Sequence, residues 1–169
     1  MKWKLRMNMK TLLLVRHAKS SHSLGMASDF DRPLNDRGFR EASEMGKKLF
    51  KSKTSIDQFV SSPALRAKTT AELFADEYDR KMKEIFFIPA LYNAAPEDFS
   101  DAIRSIKDSF HHIALFSHNP GITDFASSLT RTQITQMPTC SVFAVTAEID
   151  SWKDFASAEK RFLFFLKPE

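Results

Sequence analysis

Residues 11–21 read TLLLVRHAKSS, and the apolar half of that stretch decides the fold. Leu12-Leu13-Leu14-Val15 has no polar alternation, the pattern of a strand covered on both faces within a parallel sheet. Further along, Phe39, Ala42, Met45, Leu49 and Phe50 recur at helical spacing over 36–51, with Asn35 placed as N-cap. A weaker strand covers 56–61, and Ser62-Pro63 reads as the cap and first residue of a helix carrying Ala67, Ala71, Phe74 and Tyr78. Residues 85–88 form the third strand, and 97–109 the third helix, with Phe99, Ile103 and Ile106 on one face. Residues 113–116 form the fourth strand, and Asn119-Pro120 opens a fourth helix. Strand and helix thus alternate four times, which predicts an α/β fold: three layers, α/β/α, around a mostly parallel central sheet. Residues 142–149 and 161–167 are two more strand-like runs, expected as an antiparallel addition at the sheet edge. Phe162, Phe164 and Phe165 are expected in the core.

The composition narrows the classes. A chain of 169 residues, 43% hydrophobic and 27% charged, suits one globular domain, taken here as 11–169. No apolar run exceeds five residues, so no membrane span is expected. The net charge of +4 resides in Lys2, Lys4, Arg6 and Lys10, since the first ten residues hold no acid. Residues 1–10 therefore read as a basic, flexible tail without the apolar segment of a signal peptide. The remainder is neutral, which argues against nucleic-acid binding. Cys140 stands alone and cannot form an internal disulfide; a cytoplasmic protein is the expectation.

Ligands of open α/β sheets bind at the carboxyl ends of the strands. Three motifs fall there: Arg16-His17 after the first strand, Ser61-Ser62-Pro63 with Arg66 after the second, and Ser117-His118-Asn119-Pro120-Gly121 after the fourth. Two arginines and two histidines thereby converge on one rim. Arginine matches phosphate oxygens with a planar fork of fixed charge, and the two helix N-termini add to an anion site. A neutral, oriented histidine supplies a nucleophile for phosphoryl transfer, and a second, charged histidine would hold a phosphate oxygen. The arginines take the electrostatic role of a metal, and no His, Cys and carboxylate cluster has metal-ligand spacing, so neither metal nor cofactor is expected.

Together LVRHAKSS, SDFDRPLNDRG, SSPALRAKTTAE and SHNPGITDFA resemble the histidine phosphatase superfamily, whose fold is phosphoglycerate mutase-like. The short length, RHAKSS and DRPL look most like its SixA-type phosphohistidine phosphatase branch. The resemblance implies that His17 is the nucleophile and forms a phosphohistidine intermediate, with Arg16, Arg66 and His118 as the phosphate pocket. It runs from Thr11 onward.

Larger members of that superfamily carry an acid after the third strand that protonates an ester leaving group. Here the stretch reads ALYNAAPEDF, with no carboxylate before Glu97 and Asp98, so Glu97 is the weak candidate for a general acid. A missing acid favours a phosphoramidate, whose imidazole leaves neutral, over an ester, whose alkoxide needs a proton. The leading expectation is a metal-independent phosphatase for phosphohistidine on a protein, in signal transduction. The alternatives are a phosphatase for a small phosphomonoester or sugar phosphate, and a non-catalytic phospholigand-binding module. Lys19, Ser20 and Asn119 are further candidate phosphate donors, and the irregular stretch 18–35 is expected to border the pocket. Asp31 and Arg32 are expected to pair, His22 to lie at the surface, and His111-His112 to lie at the opposite end of the sheet. Neutral His17 with charged His118 would give an activity maximum near neutral pH.

Overall fold

The computed structural model describes residues 8–22 and 28–169. One six-stranded sheet organises them. In chain order these are β1 (Met9–Arg16), α1 (Asp36–Lys51), β2 (Gln58–Ser61), α2 (Leu65–Glu77), β3 (Ile85–Phe87), α3 (Pro96–Arg104), β4 (His112–Ser117), α4 (Gly121–Leu129), β5 (Val142–Glu148) and β6 (Lys160–Leu166). The strands lie in the order β3-β2-β4-β1-β5-β6. The first four of these are mutually parallel; β5 is antiparallel to β1, and β6 to β5. The antiparallel strand is thus next to the edge rather than at it, and β6, which closes the sheet, runs with the parallel set.

Successive side chains of β1 face opposite layers, which is why its apolar run is unbroken. Leu13 and Val15 join Ala42, Met45 and Leu49 of α1 and Ala71 and Phe74 of α2. Leu12 and Leu14 join Phe99 and Ile103 of α3 and Ile122 and Phe125 of α4 on the other side. Three layers result, and Leu12, Leu13, Leu14 and Val15 are fully buried. The connection after β1 leads to one face and that after β4 to the other, so a crevice opens between two neighbouring strand ends.

Several expectations need correction. The basic tail over residues 1–10 is too long: Met9 and Lys10 belong to β1, and Lys10 is buried, its Nζ donating to the carbonyls of Asp108 (2.7 Å) and Phe110 (3.0 Å). Residues 1–7, with Trp3, lie outside the described residues. Asn35 caps α1 as expected, its Oδ1 accepting the Gly38 N–H at 2.9 Å, but Phe39 and Phe50 are exposed, flanking the buried stripe. The helix after β2 starts at Leu65, two residues later than expected, although the Ser62 hydroxyl still accepts the Ala64 N–H while it meets His118. The third helix stops at Arg104, five residues early. Phe162 is exposed on β6, and Phe164 and Phe165 are half-buried, since β6 is an edge strand.

Candidate active site

Parallel pairing brings the motifs together. Arg16 is level with Ser117 across β1 and β4, and Ser61 with Phe116 across β2 and β4. The next residue of each strand therefore meets the others at the rim: the His17 N–H donates to the Ser117 carbonyl at 3.1 Å, and the His17 and His118 ring centroids are 5.2 Å apart. Arg66 reaches the same spot from the first turn of α2. All six candidate phosphate contacts (Arg16, Lys19, Ser20, Arg66, His118 and Asn119) line one cleft of about 370 Å³ with His17.

His17 is oriented by its neighbour. Its Nδ1 lies 2.8 Å from the Ala18 carbonyl oxygen, which only accepts, so Nδ1 carries the proton. Nε2 is left with its lone pair and accepts the Arg66 Nε–H at 3.3 Å. Ala18 is held in turn: its N–H donates to Thr70 Oγ1 (3.0 Å), whose hydroxyl donates to the Arg66 carbonyl (2.6 Å). Burial, together with His118, Arg66 and Arg16, lowers the His17 pKa from 6.5 to about 3. The neutral imidazole is the resting form.

His118 departs from expectation. Burial first, then Arg66 and Arg16, lowers its pKa also to about 3, so it is neutral in the free site rather than charged. A second cation there would stand against the arginines already present. Its Nε2 lies 2.8 Å from Ser62 Oγ, which also accepts the Ala64 N–H at 3.3 Å. Its Nδ1 is buried and has no hydrogen-bond partner among the described residues.

That orphan is not alone. Among the described residues, five buried side-chain polar atoms lack a hydrogen-bond partner, and four belong to residues lining this cleft: Arg16 Nε, Ser20 Oγ, Arg32 Nε and His118 Nδ1. Buried polar groups are otherwise almost always paired. Each of the four is able to donate, and a phosphoryl group presents only acceptors. The lining as a whole sets Arg16, Lys19, Arg32 and Arg66 against the single carboxylate of Asp29 among the described residues, a balance that suits an anion.

The remaining candidates divide. Asn119 is pinned beside the cleft, donating to the Met137 carbonyl (3.1 Å) and accepting from Thr123 (2.6 Å); Arg16 Nη1 donates to the same carbonyl at 2.9 Å. Lys19 is exposed on the rim. Exposed His22 also lines the cleft. Glu97 sits exposed in the first turn of α3 and is absent from the lining. His112 binds Asp57 at the opposite end of β4, Nδ1 to Oδ2 at 3.1 Å. Arg32 pairs with Asp29 (3.2 Å) and not with Asp31, which instead accepts from Ser28 (2.7 Å). Reading sequence neighbours as partners missed Asp29 and Tyr92: Asp29 accepts from Arg66 Nη2 (3.1 Å) and from the Tyr92 hydroxyl (2.7 Å). SDFDRPL held the only signal for Asp29, and nothing in the sequence pointed to Tyr92. No group of three or more potential metal ligands occurs among the described residues, and none of their helices is long and apolar enough to cross a membrane.

A sequence model of the histidine phosphatase superfamily (branch 1) matches residues 12–94. An uncharacterised protein of Mycobacterium leprae is 34% identical over 119 residues, which span 69% of this chain and 71% of that one. Among solved structures, the protein histidine phosphatase SixA complexed with tungstate superposes with a TM-score of 0.78 at 22% identity, covering 94% of this chain and 97% of that one. A mycobacterial glucosyl-3-phosphoglycerate phosphatase gives a TM-score of 0.65 at 14% identity, covering 92% and 97%. At these identities the two structures speak for the fold.

Proposed function

The chain belongs to the histidine phosphatase superfamily, and from that premise we propose that it is a metal-independent phosphatase for phosphohistidine borne on a protein, with His17 as nucleophile. The observation that carries the substrate class is the state of Asp29, the one carboxylate that lines the cleft among the described residues. Asp29 accepts hydrogen bonds from Tyr92 and Arg66, which lower its pKa to about 2, so it has no proton to give. Residues 23–27, outside the description, contain no carboxylate, and Glu97 is elsewhere. An ester leaving group would find no carboxylic acid here.

A phosphohistidine needs none. His17 Nε2 attacks phosphorus in line, and the bond from phosphorus to the substrate nitrogen breaks with its electron pair going to that nitrogen. The substrate ring already carries a proton on its other nitrogen and leaves neutral, while His17 keeps its proton on Nδ1 throughout. One phosphorus–nitrogen bond replaces another, and no proton moves. Water then attacks the phosphoryl group, the bond to Nε2 breaks, and dihydrogen phosphate departs from neutral His17. Arg16, Arg66 and the His118 Nδ1–H meet the charge on the equatorial oxygens, already oriented before the substrate arrives.

The test is phosphate release from a histidine-phosphorylated protein against a panel of small phosphate esters, with His17→Ala as control. Release from phosphohistidine alone, lost in the variant, is expected. Preference for an ester would overturn the substrate class, and retained binding without release from anything would make the protein a phospholigand-binding module.

A further inference from the structure

Arg66 is held from behind by Asp29, which Tyr92 holds in turn. Its Nη1 donates to the Asp29 carbonyl at 2.6 Å and its Nη2 to Asp29 Oδ2 at 3.1 Å. A single residue therefore grips both prongs of a guanidinium whose side chain is almost fully buried. The same carboxylate oxygen accepts the Tyr92 hydroxyl at 2.7 Å, and Oδ1 accepts from Arg32 at 3.2 Å. Tyr92 is itself wedged, edge-on to Phe30 (5.1 Å) and to His118 (5.6 Å). The turn bearing Asp29 is fastened to the helix bearing Arg66, because the Leu65 N–H donates to the Phe30 carbonyl at 2.9 Å. With both prongs engaged, the group that Arg66 turns toward His17 is its Nε–H, 3.3 Å from Nε2.

We propose that Asp29 and Tyr92 are positioning residues that clamp Arg66, so that its Nε–H is aimed at the phosphoryl group being taken up by His17. The clamp rests on the reading of His17 as nucleophile but not on the identity of the donor. Asp29 also sets a negative charge among Arg16, Arg32 and Arg66, which offsets their mutual repulsion in the free cleft. Two consequences separate positioning from simple attraction. Removing the carboxylate makes the cleft more positive, so it does not weaken anion binding in the ground state. It does free Arg66 to leave the line of attack, so transfer slows. Misplacement of a group by about 1 Å is enough for a loss on the order of 100-fold.

The experiment compares Asp29→Asn and Tyr92→Phe, alone and combined with Arg66→Ala, after thermal unfolding has shown each variant folded. Phosphoryl donors are a histidine-phosphorylated protein and the small phosphoramidate ion; tungstate binding is measured by calorimetry. Asp29→Asn is expected to lower kcat by about 10- to 100-fold, with KM and tungstate affinity unchanged or improved. Tyr92→Phe, which removes one hydroxyl, is expected to lower kcat by about 3- to 10-fold in the same pattern. Neither change is expected to have any effect once Arg66 is alanine. Unchanged kcat in Asp29→Asn, or an equal loss in the Arg66→Ala background, would overturn the clamp. Wild-type transfer from phosphoramidate but not from the protein would overturn the phosphohistidine reading, and the variants would still decide the clamp on the small donor. No transfer from either donor would overturn both.

Discussion

His17 Nδ1 lies 2.8 Å from the carbonyl oxygen of Ala18, the next residue in the chain. That contact settles which ring nitrogen holds the proton and leaves Nε2 unprotonated beside Arg66 Nε. Orientation of the His17 ring thus comes from the backbone of its own loop, and no carboxylate partner for it occurs among the described residues. Thr70 completes the arrangement by binding both the Ala18 N–H and the Arg66 carbonyl.

The histidines make the fold sensitive to acid. Both have pKa values lowered from 6.5 to about 3, so between those limits the unfolded chain takes up protons that the folded chain refuses. Stability from this source is complete above pH 6.5 and is lost as pH falls toward 3. Urea midpoints are expected to drop between pH 7 and pH 5, and to drop less in a variant carrying His17→Asn and His118→Asn. Equal midpoints at both pH values in the wild type would contradict the neutral pair.

The same shifts bear on turnover. With both histidines neutral down to about pH 3, neither titrates in the free protein between pH 5 and 7. Over that range kcat/KM is expected to follow the ionisation of the substrate, giving different profiles for donors of different pKa. A common fall toward acid with an apparent pKa near 6.5 for every donor would show His17 titrating, and a common fall toward alkali would show that a charged His118 is needed.

Ser62 is fully buried, and its hydroxyl accepts from Ala64 N–H and meets His118 Nε2. Ser62→Ala leaves both groups unpaired, at a cost of about 1–3 kcal/mol in unfolding free energy. The His118 ring, which lines the cleft, then loses the contact that fixes it, and tungstate affinity is expected to fall. Calorimetry reads both effects; a stable variant with wild-type affinity would remove Ser62 from the site.

Gly38 lies in α1 against the loop that follows His17, and a Cβ there would be driven into the Lys19 carbonyl. Backbone cannot swing aside as a long side chain does. Gly38→Ala is expected to cost about 1–3 kcal/mol and to reduce turnover by moving Lys19 and Ser20. Glu97→Gln, by contrast, is expected to leave turnover unchanged, since Glu97 is exposed away from the cleft.

Much of this was legible in the residues. The LLLV run, the Asn35 cap and the placement of Arg16, His17, Arg66 and His118 at strand ends depend on local pattern and strand order, and the structure agrees on each. Other features depend on who meets whom across the fold. Ser62-Pro63 looks like a helix cap because that is the common local use of serine before proline. His118, fifty-six residues away, shares the hydroxyl with the Ala64 N–H, and the helix opens two residues later. Arg32 was expected to pair with its neighbour, but turn geometry presents Asp29. The charge of His118 depends on burial and on the summed field of the arginines, which no spacing encodes.

In the proposed reaction the phosphoryl group passes through Nε2 of His17. The most direct measurement is to mix the protein with a histidine protein labelled with radioactive phosphate, quench in alkali within the first turnover, and map the label. Label on Nε2 of His17, absent from His17→Asn, is expected. Full-rate release of labelled phosphate with none bound to the protein, or label on any other residue, would contradict it.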